Sequence, residues 1–390
     1  MPSVCLYFQV HQPYRLRRYS FFDAGGTKSF FDNELNREVM RRVADRCYLP
    51  ANAALRRAIK AGKGNFKVAF SISGTAIEQM RQWAPDALAS FKELVKTGCV
   101  DLLGETYYHS LASLYDHDEF RAQVQAHQDL MHEEFRCRPR VFRNTELIYS
   151  DAIGQMVADM GFRAVLAEGV DSVVGWRSVN QIYRVFGRDA ALFLKNYPLS
   201  DDIAFRFHSS GLEECPMTPS LYAQRLRETA QSDDMVCLFM DYETFGEHHG
   251  ASTGIVGFLE DLPAEVLRHR GWQFLTPSEA LGEHRVGSEI SFPTETSWAD
   301  VARDLSAWRG NSMQQSALKK IYAYQPHTEE QRSTWRKLQT SDHFYYMSTK
   351  GAGDGDVHSY FSPFESPYDA FISYMNVLRS LNWLIEGISG

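Results

Sequence analysis

The composition of the chain excludes several classes of protein. Of its 390 residues, 44% are hydrophobic and 23% are charged, values typical of a globular protein rather than a disordered or fibrous one. The formal net charge of −8 argues against a nucleic-acid partner, since binding a polyanion requires a basic surface. We expect no membrane partner, because no run approaches the roughly 20 apolar residues that span a bilayer. The first residues lack the features of a secretory signal, which predicts a cytoplasmic protein.

Short apolar runs alternate with helix-like segments along most of the chain, which predicts a parallel α/β architecture. The predicted strands are Val4–Val10, Lys67–Ile72, Val100–Leu103, Arg140–Phe142, Arg163–Leu166, Ile203–Phe207 and Val236–Met240. The predicted helices include Asp118–Phe135, Asp151–Met160, Pro219–Ala230 and Gly254–Leu262. Seven such units favour a barrel, although a doubly wound open sheet would show the same alternation.

The pattern changes after Gly287, where strand signals fade. Three helices are predicted there, over Ser312–Tyr324, Thr328–Ser348 and Pro367–Ile385. We therefore predict a barrel domain over residues 1–286 and a C-terminal helical domain over residues 287–390 that contributes to the active-site cleft. The stretch around Asp354, rich in Gly, Pro and aromatic residues, is a candidate for lining this cleft.

Polar side chains are concentrated where the predicted strands end. They are His11 and Gln12 after the first strand, Glu105 and His109 after the third, Glu146 after the fourth, Glu168 after the fifth, and Asp241 and Glu243 after the seventh. In parallel α/β proteins the active site lies at the carboxyl ends of the strands. We therefore expect these side chains to converge on one mouth of the barrel.

Paired acids in such a place suit glycoside hydrolysis. That reaction needs two carboxyl groups, about 5–5.5 Å apart for retention of anomeric configuration and further apart for inversion. Glu146 and Asp241 each directly follow an apolar strand, so they are the best candidates for the pair. For an acid at a strand end, capping the next helix is the ordinary alternative, as we expect for Asp151.

A metal site is a second interpretation of the same region. His11, Glu105, His109, Asp241 and His248 have the side chains to bind zinc or manganese. However, the chain contains no H-E-x-x-H or H-x-x-x-H pair, and its six cysteines form no C-x-x-C pair. Phosphate-binding and dinucleotide-binding glycine motifs are also missing from the sequence. We therefore predict neither a catalytic metal nor a cofactor.

Five short motifs in a fixed order connect the sequence to a known family. They are His11-Gln12-Pro13, Gly104 to His109, Phe142 to Glu146, Met240 to Gly246, and Ser297-Trp298-Ala299-Asp300 continuing to Trp308. In this order they resemble the five sequence regions of glycoside hydrolase family 57, which comprises α-amylases, 4-α-glucanotransferases and branching enzymes. Residues 196–207 and the segment DGDVHSYFSPF are similar to the α-amylase-type branch.

The resemblance implies a (β/α)7 barrel, an incomplete form of the eight-stranded barrel, followed by a C-terminal helical region. It also implies a retaining mechanism without a metal, with Glu146 as nucleophile and Asp241 as general acid/base. By position, His11 and His109 would contact the sugar at the cleavage point, Trp298 and Trp308 would line the cleft, and Trp176 would stack on an acceptor sugar. Further substrate-binding candidates beside these are Gln12, Glu105 and Glu243.

The function predicted from this resemblance is hydrolysis of α-1,4-glucosidic bonds in an α-glucan such as starch, glycogen or maltodextrin. A 4-α-glucanotransferase or branching enzyme on the same fold is the nearest alternative, because transfer differs only in whether a sugar or water intercepts the intermediate. A metal-dependent polysaccharide deacetylase is a less favoured alternative, given the missing H-x-x-x-H pair. A glucan-binding module without activity is the third.

Overall fold

A computed structural model describes residues 1–23, 29–208, 217–230, 234–350 and 362–386, the last five of these by their backbone. The predicted cleft segment around Asp354 lies outside the described residues. In the described part of the chain, no helix is both long enough and apolar enough to cross a membrane.

The strands of the described chain form one largely parallel sheet. Their bounds are β1 (Ser3–Val10), β2 (Val68–Ile72), β3 (Val100–Leu102), β4 (Val141–Arg143), β5 (Ala164–Glu168), β6 (Tyr183–Val185), β7 (Ala191–Lys195), β8 (Met235–Asp241), β9 (Gln273–Phe274) and β10 (Glu289–Ile290). β1, β2, β5 and β8 are buried along almost their entire length, as expected of strands covered on both faces.

Seven parallel strands close into a barrel in the order β1, β2, β3, β4, β5, β7, β8. Between β3 and β4, closure depends on two backbone hydrogen bonds of 2.8 Å, from Gly104 N to Val141 O and from Arg143 N to Gly104 O. Between β7 and β8, Lys195 pairs with Cys237, and β8 then pairs with β1 along seven residues. The predicted (β/α)7 barrel is therefore confirmed.

One predicted strand was wrong. A strand was predicted over Ile203–Phe207, but residues Tyr197–Ala204 form a helix. The barrel strand is the preceding run Ala191–Lys195. The helix begins there because the Asn196 side chain accepts a hydrogen bond from the Leu199 backbone N–H, at 3.2 Å, and Pro198 lies in the first turn. Local capping chemistry therefore outweighs the short apolar run that predicted a strand.

Helices cover the outside of the barrel and continue beyond it. Their bounds are α1 (Asn33–Val43), α2 (Leu49–Ala61), α3 (Gly74–Trp83), α4 (Pro85–Val95), α5 (Ala112–Tyr115), α6 (His117–Phe135), α7 (Asp151–Asp159), α8 (Asp171–Val174), α9 (Tyr197–Ala204), α10 (Pro219–Thr229), α11 (Ile255–Leu267), α12 (Pro277–Glu283), α13 (Ser306–Arg309), α14 (Ser312–Ala323), α15 (Glu329–Leu338), α16 (Ser341–Tyr345) and α17 (Pro367–Glu386). The domain boundary at residue 286 stays a prediction.

The predicted helix over Thr328–Ser348 is divided into α15 and α16. Thr340 interrupts it with an extended backbone, at φ −53° and ψ 133°. Thr340 pairs with Ser110 in a β-bridge, and its hydroxyl donates a hydrogen bond of 2.8 Å to the carbonyl oxygen of Tyr108. The break attaches the start of α16 to the loop after β3, and it thereby brings C-terminal side chains to the mouth of the barrel.

Candidate active site

A cleft lies at the carboxyl ends of the barrel strands and consists of two adjoining hollows. Their volumes are about 510 and 580 Å³ when the space open to solvent is included. The first hollow is lined by Gln9, His11, Gln12, Pro13, Arg15, His109, Glu146, Asp241, Glu243, His248, Trp298 and Asp342. The second is lined by Lys195, Ala204, Phe205, Phe239, Met240, Asp241, Thr244, His248, Trp298, Ala299, Asp300 and Tyr345.

Glu146 stands on a strained turn immediately after β4. It has φ 57° and ψ 27°, and the next residue, Leu147, has φ 50°. Two successive non-glycine residues in the left-handed region cost about 1–3 kcal/mol each, a cost found mostly where function fixes a side-chain direction. The Glu146 side chain faces the first hollow, although the residue is only 4% exposed.

Donors from three separate segments surround the Glu146 carboxylate. The indole Nε1–H of Trp298 donates to Oε2 at 2.8 Å, and the Ser341 hydroxyl donates to Oε1 at 2.9 Å. The imidazole Nε2 of His109 lies 3.4 Å from Oε1. Hydrogen bonds and positive charge both favour the ionised form of a carboxyl group, so the surroundings suit a carboxylate that attacks as a nucleophile.

His109 lies between two carboxylates. Its Nδ1 is 2.9 Å from Glu105 Oε2, while its Nε2 faces Glu146. Burial acts to lower the pKa of His109, but the hydrogen bonds with Glu105 and Glu146 outweigh it and raise the pKa to about 9. His109 is therefore a cation at neutral pH, which places a positive charge beside Glu146.

Glu105 holds His109 and does not face the cleft. Its side chain is fully buried and accepts a second hydrogen bond, of 3.2 Å, from Gln9 Nε2. Burial acts to raise the pKa of Glu105, but the hydrogen bond and charge of His109 lower it overall. Its carboxylate orients His109 from behind the cleft wall, and the substrate contact predicted for Glu105 stays a prediction.

His11 packs against the other side of the same imidazole. The two rings are stacked, with centroids 4.0 Å apart, and His11 is bound to Ser73 at 2.8 Å and to Asp342 at 3.0 Å. Burial, followed by the charge of His109, lowers the pKa of His11. The pair therefore combines a neutral ring and a charged ring, and both line the first hollow.

Asp241, at the end of β8, lines both hollows and is partly exposed. Two residues further on, Glu243 is 5% exposed and accepts hydrogen bonds from the hydroxyl of Tyr48 and from Gln12 Nε2, the latter at 3.3 Å. Burial, followed by the charge of Asp241, raises the pKa of Glu243 to about 8. At neutral pH Glu243 is therefore largely protonated.

The raised pKa of Glu243 predicts a pH dependence of stability. The folded protein keeps a proton that the unfolded chain releases, so the free energy of unfolding falls as the pH rises from about 4.5 to about 8 and then levels off. Glu243→Gln should remove this component, which for a pKa raised from 4.5 to about 8 amounts to at most about 5 kcal/mol across the window. Urea unfolding at pH 5, 6.5 and 8 measures it.

The matched control for that experiment is Glu34→Gln, since the Glu34 side chain is 77% exposed and pairs only with Arg37 in the contacts described. This control should follow the pH dependence of the wild-type protein. Parallel stability curves for Glu243→Gln and the wild type between pH 5 and pH 8 would contradict the prediction.

The three tryptophans predicted to bind sugar occupy different positions. Trp298 lines both hollows, with Arg143 Cζ 4.6 Å and Lys195 Nζ 5.4 Å from its ring centroid. Trp308 is 1% exposed and packs in the hydrophobic core, and its contact with a substrate stays a prediction. Trp176 follows α8 and is 92% exposed, and its contact with an acceptor sugar stays a prediction.

Several site residues were missed from the sequence. Ser341 and Asp342 reach Glu146 and His11 from the start of α16, nearly 200 or more residues away along the chain. Lys195 was missed because its strand was placed wrongly, and Arg15 is buried behind Gln12, to which it donates a hydrogen bond of 3.0 Å. The only available signal for Ser341 and Asp342 was a pair of short polar residues before the aromatic run HFYYM.

The metal interpretation involves the same side chains. Within the described ranges, no group of three or more His, Cys, Asp or Glu side chains is arranged to hold a metal ion. His11 is bound to Asp342, and His109 is bound between Glu105 and Glu146. The predicted absence of a metal stays a prediction.

A parallel barrel with several carboxyl groups at the carboxyl ends of its strands suits glycoside hydrolysis. Comparison with known proteins agrees with this class of enzyme. The model of the family "Glycosyl hydrolase family 57" matches residues 5–293. A protein of Methanocaldococcus jannaschii named "Putative alpha-amylase" is 40% identical over 398 aligned residues, covering 97% of this chain and 84% of that protein. The chain belongs to glycosyl hydrolase family 57, which confirms the resemblance found in the sequence.

Solved structures show the same fold at low sequence identity. The 4-α-glucanotransferase of Thermococcus litoralis superposes with a TM-score of 0.66 at 15% identity, over 88% of this chain, which spans only 55% of that protein's length. A branching enzyme of family 57 from Thermococcus kodakaraensis, solved with glucose, gives a TM-score of 0.66 at 15% identity, over 95% of this chain and 88% of that one. These likenesses establish the barrel fold.

Proposed function

We propose that the chain is a retaining glycosidase that cleaves α-1,4-glucosidic bonds of starch, glycogen or maltodextrin, with Glu146 as nucleophile and Asp241 as general acid/base. The proposal rests on one observation, which is that two carboxyl groups lining the same cleft have different surroundings. Glu146 is surrounded by three donors, whereas Asp241 lies beside the largely protonated Glu243. The M. jannaschii relative named "Putative alpha-amylase" supports an α-glucan as the substrate.

In the first step, Asp241 gives its proton to the glycosidic oxygen while Glu146 attacks C1 of the sugar. The bond from C1 to the glycosidic oxygen breaks, a bond from C1 to the Glu146 carboxylate forms, and the leaving sugar departs with the proton. In the second step, the Asp241 carboxylate takes a proton from water as the water oxygen attacks C1 and releases Glu146. Two inversions at C1 give net retention.

Glu146 and Asp241 have different neighbouring groups. The His109 cation and the donors Trp298 and Ser341 favour the ionised form of Glu146, which a nucleophile requires. Asp241 and Glu243 repel each other when both are ionised, so the pair keeps a proton at neutral pH, and general acid catalysis requires a proton at this end of the cleft.

Product analysis with maltoheptaose tests the proposal. We expect shorter oligosaccharides, a rise in reducing ends, and the α-anomer as the first product seen by proton NMR, because retention follows from the two-step mechanism. The reaction should be the same with and without EDTA. Protein carrying Glu146→Gln is the matched control for contaminating amylase.

Other outcomes lead to different conclusions. Longer and shorter chains without a rise in reducing ends would show that the reaction is glucan transfer and not hydrolysis. Glucan transfer is the activity named for the T. litoralis protein with the same fold. A β-anomer as the first product would overturn the retaining mechanism. Loss of activity with EDTA would favour the metal-dependent alternative.

A further inference from the structure

Arg143, the last residue of β4, is a fully buried cation without a hydrogen-bond acceptor for its side chain. The residue is 0% exposed, and none of the guanidinium nitrogens Nε, Nη1 and Nη2 has a hydrogen-bond partner among the described residues. Burying a charged group in this way is costly, so a native protein should have a reason for it. Closing the barrel does not require this side chain, because Arg143 binds Gly104 through its backbone.

The guanidinium of Arg143 lies over the indole ring of Trp298, with Cζ 4.6 Å from the ring centroid. An arginine within about 6 Å of an aromatic ring centroid is attracted to the face of the ring, most strongly where water is excluded. Arg143 and Glu105 also interact through their charges. However, the Glu105 carboxylate accepts its hydrogen bonds from Gln9 and His109. The indole of Trp298 is therefore the group against which the buried cation packs.

Trp298 is connected to Glu146 by two hydrogen bonds. Its indole Nε1–H donates to Glu146 Oε2 at 2.8 Å, and its backbone N–H donates to the Glu146 carbonyl oxygen at 3.2 Å. Trp298 lies outside the helices and strands, so the direction of its side chain depends on what the ring contacts. A hydrogen bond weakens steeply when its donor turns away from the acceptor. The contact that fixes the indole therefore also fixes a donor to the proposed nucleophile.

Lys195 contacts the same indole, but its charge is balanced by other groups. Its Nζ lies 5.4 Å from the ring centroid, further away than Cζ of Arg143. The same Nζ is 3.3 Å from Asp201 Oδ1 and 3.5 Å from Glu168 Oε2. The guanidinium of Arg143 has no such hydrogen-bonded partner in the described part of the chain. Arg143 is therefore the cation whose burial is explained only by its contact with Trp298.

We propose that Arg143 is a positioning residue for the reaction, and that its guanidinium holds the Trp298 indole in the orientation in which Nε1–H donates to Glu146. The inference rests on the proposed function of Glu146 and adds a residue that lines neither hollow. The buried charge then lowers stability in favour of activity, as is common where function constrains a site. Arg143 should therefore matter more for turnover than for folding.

The first test compares activity with stability in Arg143→Met, which removes the charge and keeps an unbranched side chain. We expect kcat/KM on maltoheptaose to fall roughly thirtyfold, the equivalent of a desolvated cation–π contact of about 2 kcal/mol. The fall should be similar on α-maltosyl fluoride, since Glu146 attacks C1 of both substrates. The urea midpoint should stay the same or rise, because methionine leaves no buried charge without a partner. Arg143→Lys keeps a cation and should lie between the wild type and Arg143→Met in activity.

The second test asks whether Arg143 acts through Trp298. Trp298→Phe keeps an aromatic ring but removes the Nε1–H, so no donor is left to orient. In that background, Arg143→Met should lower kcat/KM less than roughly threefold, compared with roughly thirtyfold in the wild-type background. The rates of the wild type, the two single variants and the double variant on maltoheptaose measure this coupling.

The matched control is Arg379→Met. Cζ of Arg379 lies 4.8 Å from the ring centroid of Phe21, almost the distance found for Arg143 and Trp298. Arg379 is exposed on α17, however, and it lines neither hollow. This variant should keep the wild-type kcat/KM on both substrates.

Failure of the inference is distinguishable from failure of the proposed function. If the wild type hydrolyses both substrates but Arg143→Met is fully active, or loses activity equally in the two backgrounds, Arg143 does not act through Trp298, and the proposed function stands. A loss of activity matched by a fall in the urea midpoint would assign Arg143 to folding and would also overturn the inference. If the wild type hydrolyses neither substrate, the proposed function itself is overturned, and the inference with it.

Discussion

Replacing Glu146 by Gln should lower kcat/KM on maltoheptaose by about four orders of magnitude, because an amide of the same shape cannot form the glycosyl-enzyme. Unlike substitutions that only weaken binding, this change should reduce kcat and kcat/KM together. Steady-state rates on maltoheptaose and on α-maltosyl fluoride measure the effect. The loss should be similar for both substrates, since both must be attacked at C1.

Chemical rescue separates the loss of a nucleophile from a loss of folding. In Glu146→Ala, azide can enter the space of the missing carboxylate. It then attacks C1 of α-maltosyl fluoride from the side on which the Glu146 carboxylate would attack, so the product should be β-maltosyl azide. Glu133→Gln is the control, since the Glu133 side chain is 69% exposed on α6. Near-normal turnover by Glu146→Gln, or an α-azide from Glu146→Ala, would contradict the assignment.

Replacing Asp241 by Asn should have the second largest effect, with a pattern that depends on the leaving group. On maltoheptaose, we expect kcat/KM to fall by about three orders of magnitude, within the usual contribution of general acid catalysis. On α-maltosyl fluoride the first step should be much less impaired, since fluoride needs little protonation to leave. The ratio of the two losses, measured under the same conditions, reports the role of Asp241 as acid.

The product formed with azide also tests the role of Asp241. In Asp241→Ala the glycosyl-enzyme still forms from α-maltosyl fluoride, so azide should displace Glu146 and give α-maltosyl azide. Asp189→Asn is the matched control, since the Asp189 side chain is 98% exposed between β6 and β7. Equal losses on the two substrates, or a β-azide from Asp241→Ala, would contradict the assignment.

Much of the fold could be predicted because the barrel strands are continuous apolar runs. Such runs are characteristic of strands covered on both faces, and the strand ends then identify where polar side chains gather. Asp241 ends one barrel strand and Glu146 lies three residues after another, and both line the cleft in the structure. The prediction failed at Ile203–Phe207, because an Asn cap and a proline start a helix before it, and a short apolar run alone does not exclude a helix.

The rest of the site depends on contacts between distant parts of the chain. Ser341 and Asp342 reach the mouth of the barrel only because Thr340 breaks a helical pattern to pair with Ser110, and no local signal specifies that partner. The burial of Trp308 and Glu105 likewise follows from packing around them. The motifs therefore predicted residues around the cleft, but the sequence does not show which of their side chains line it.

The most direct test of the account is to trap the covalent intermediate. A maltosyl fluoride that carries a second fluorine at C5 of its reducing-end sugar should react once and then turn over slowly, since the fluorine destabilises the oxocarbenium-like transition states while fluoride remains a good leaving group. We predict that the wild-type protein gains the mass of one fluorinated maltosyl unit and that the label lies on the peptide containing Glu146. A label on another residue, or no label on protein that actively hydrolyses maltoheptaose, would contradict the account.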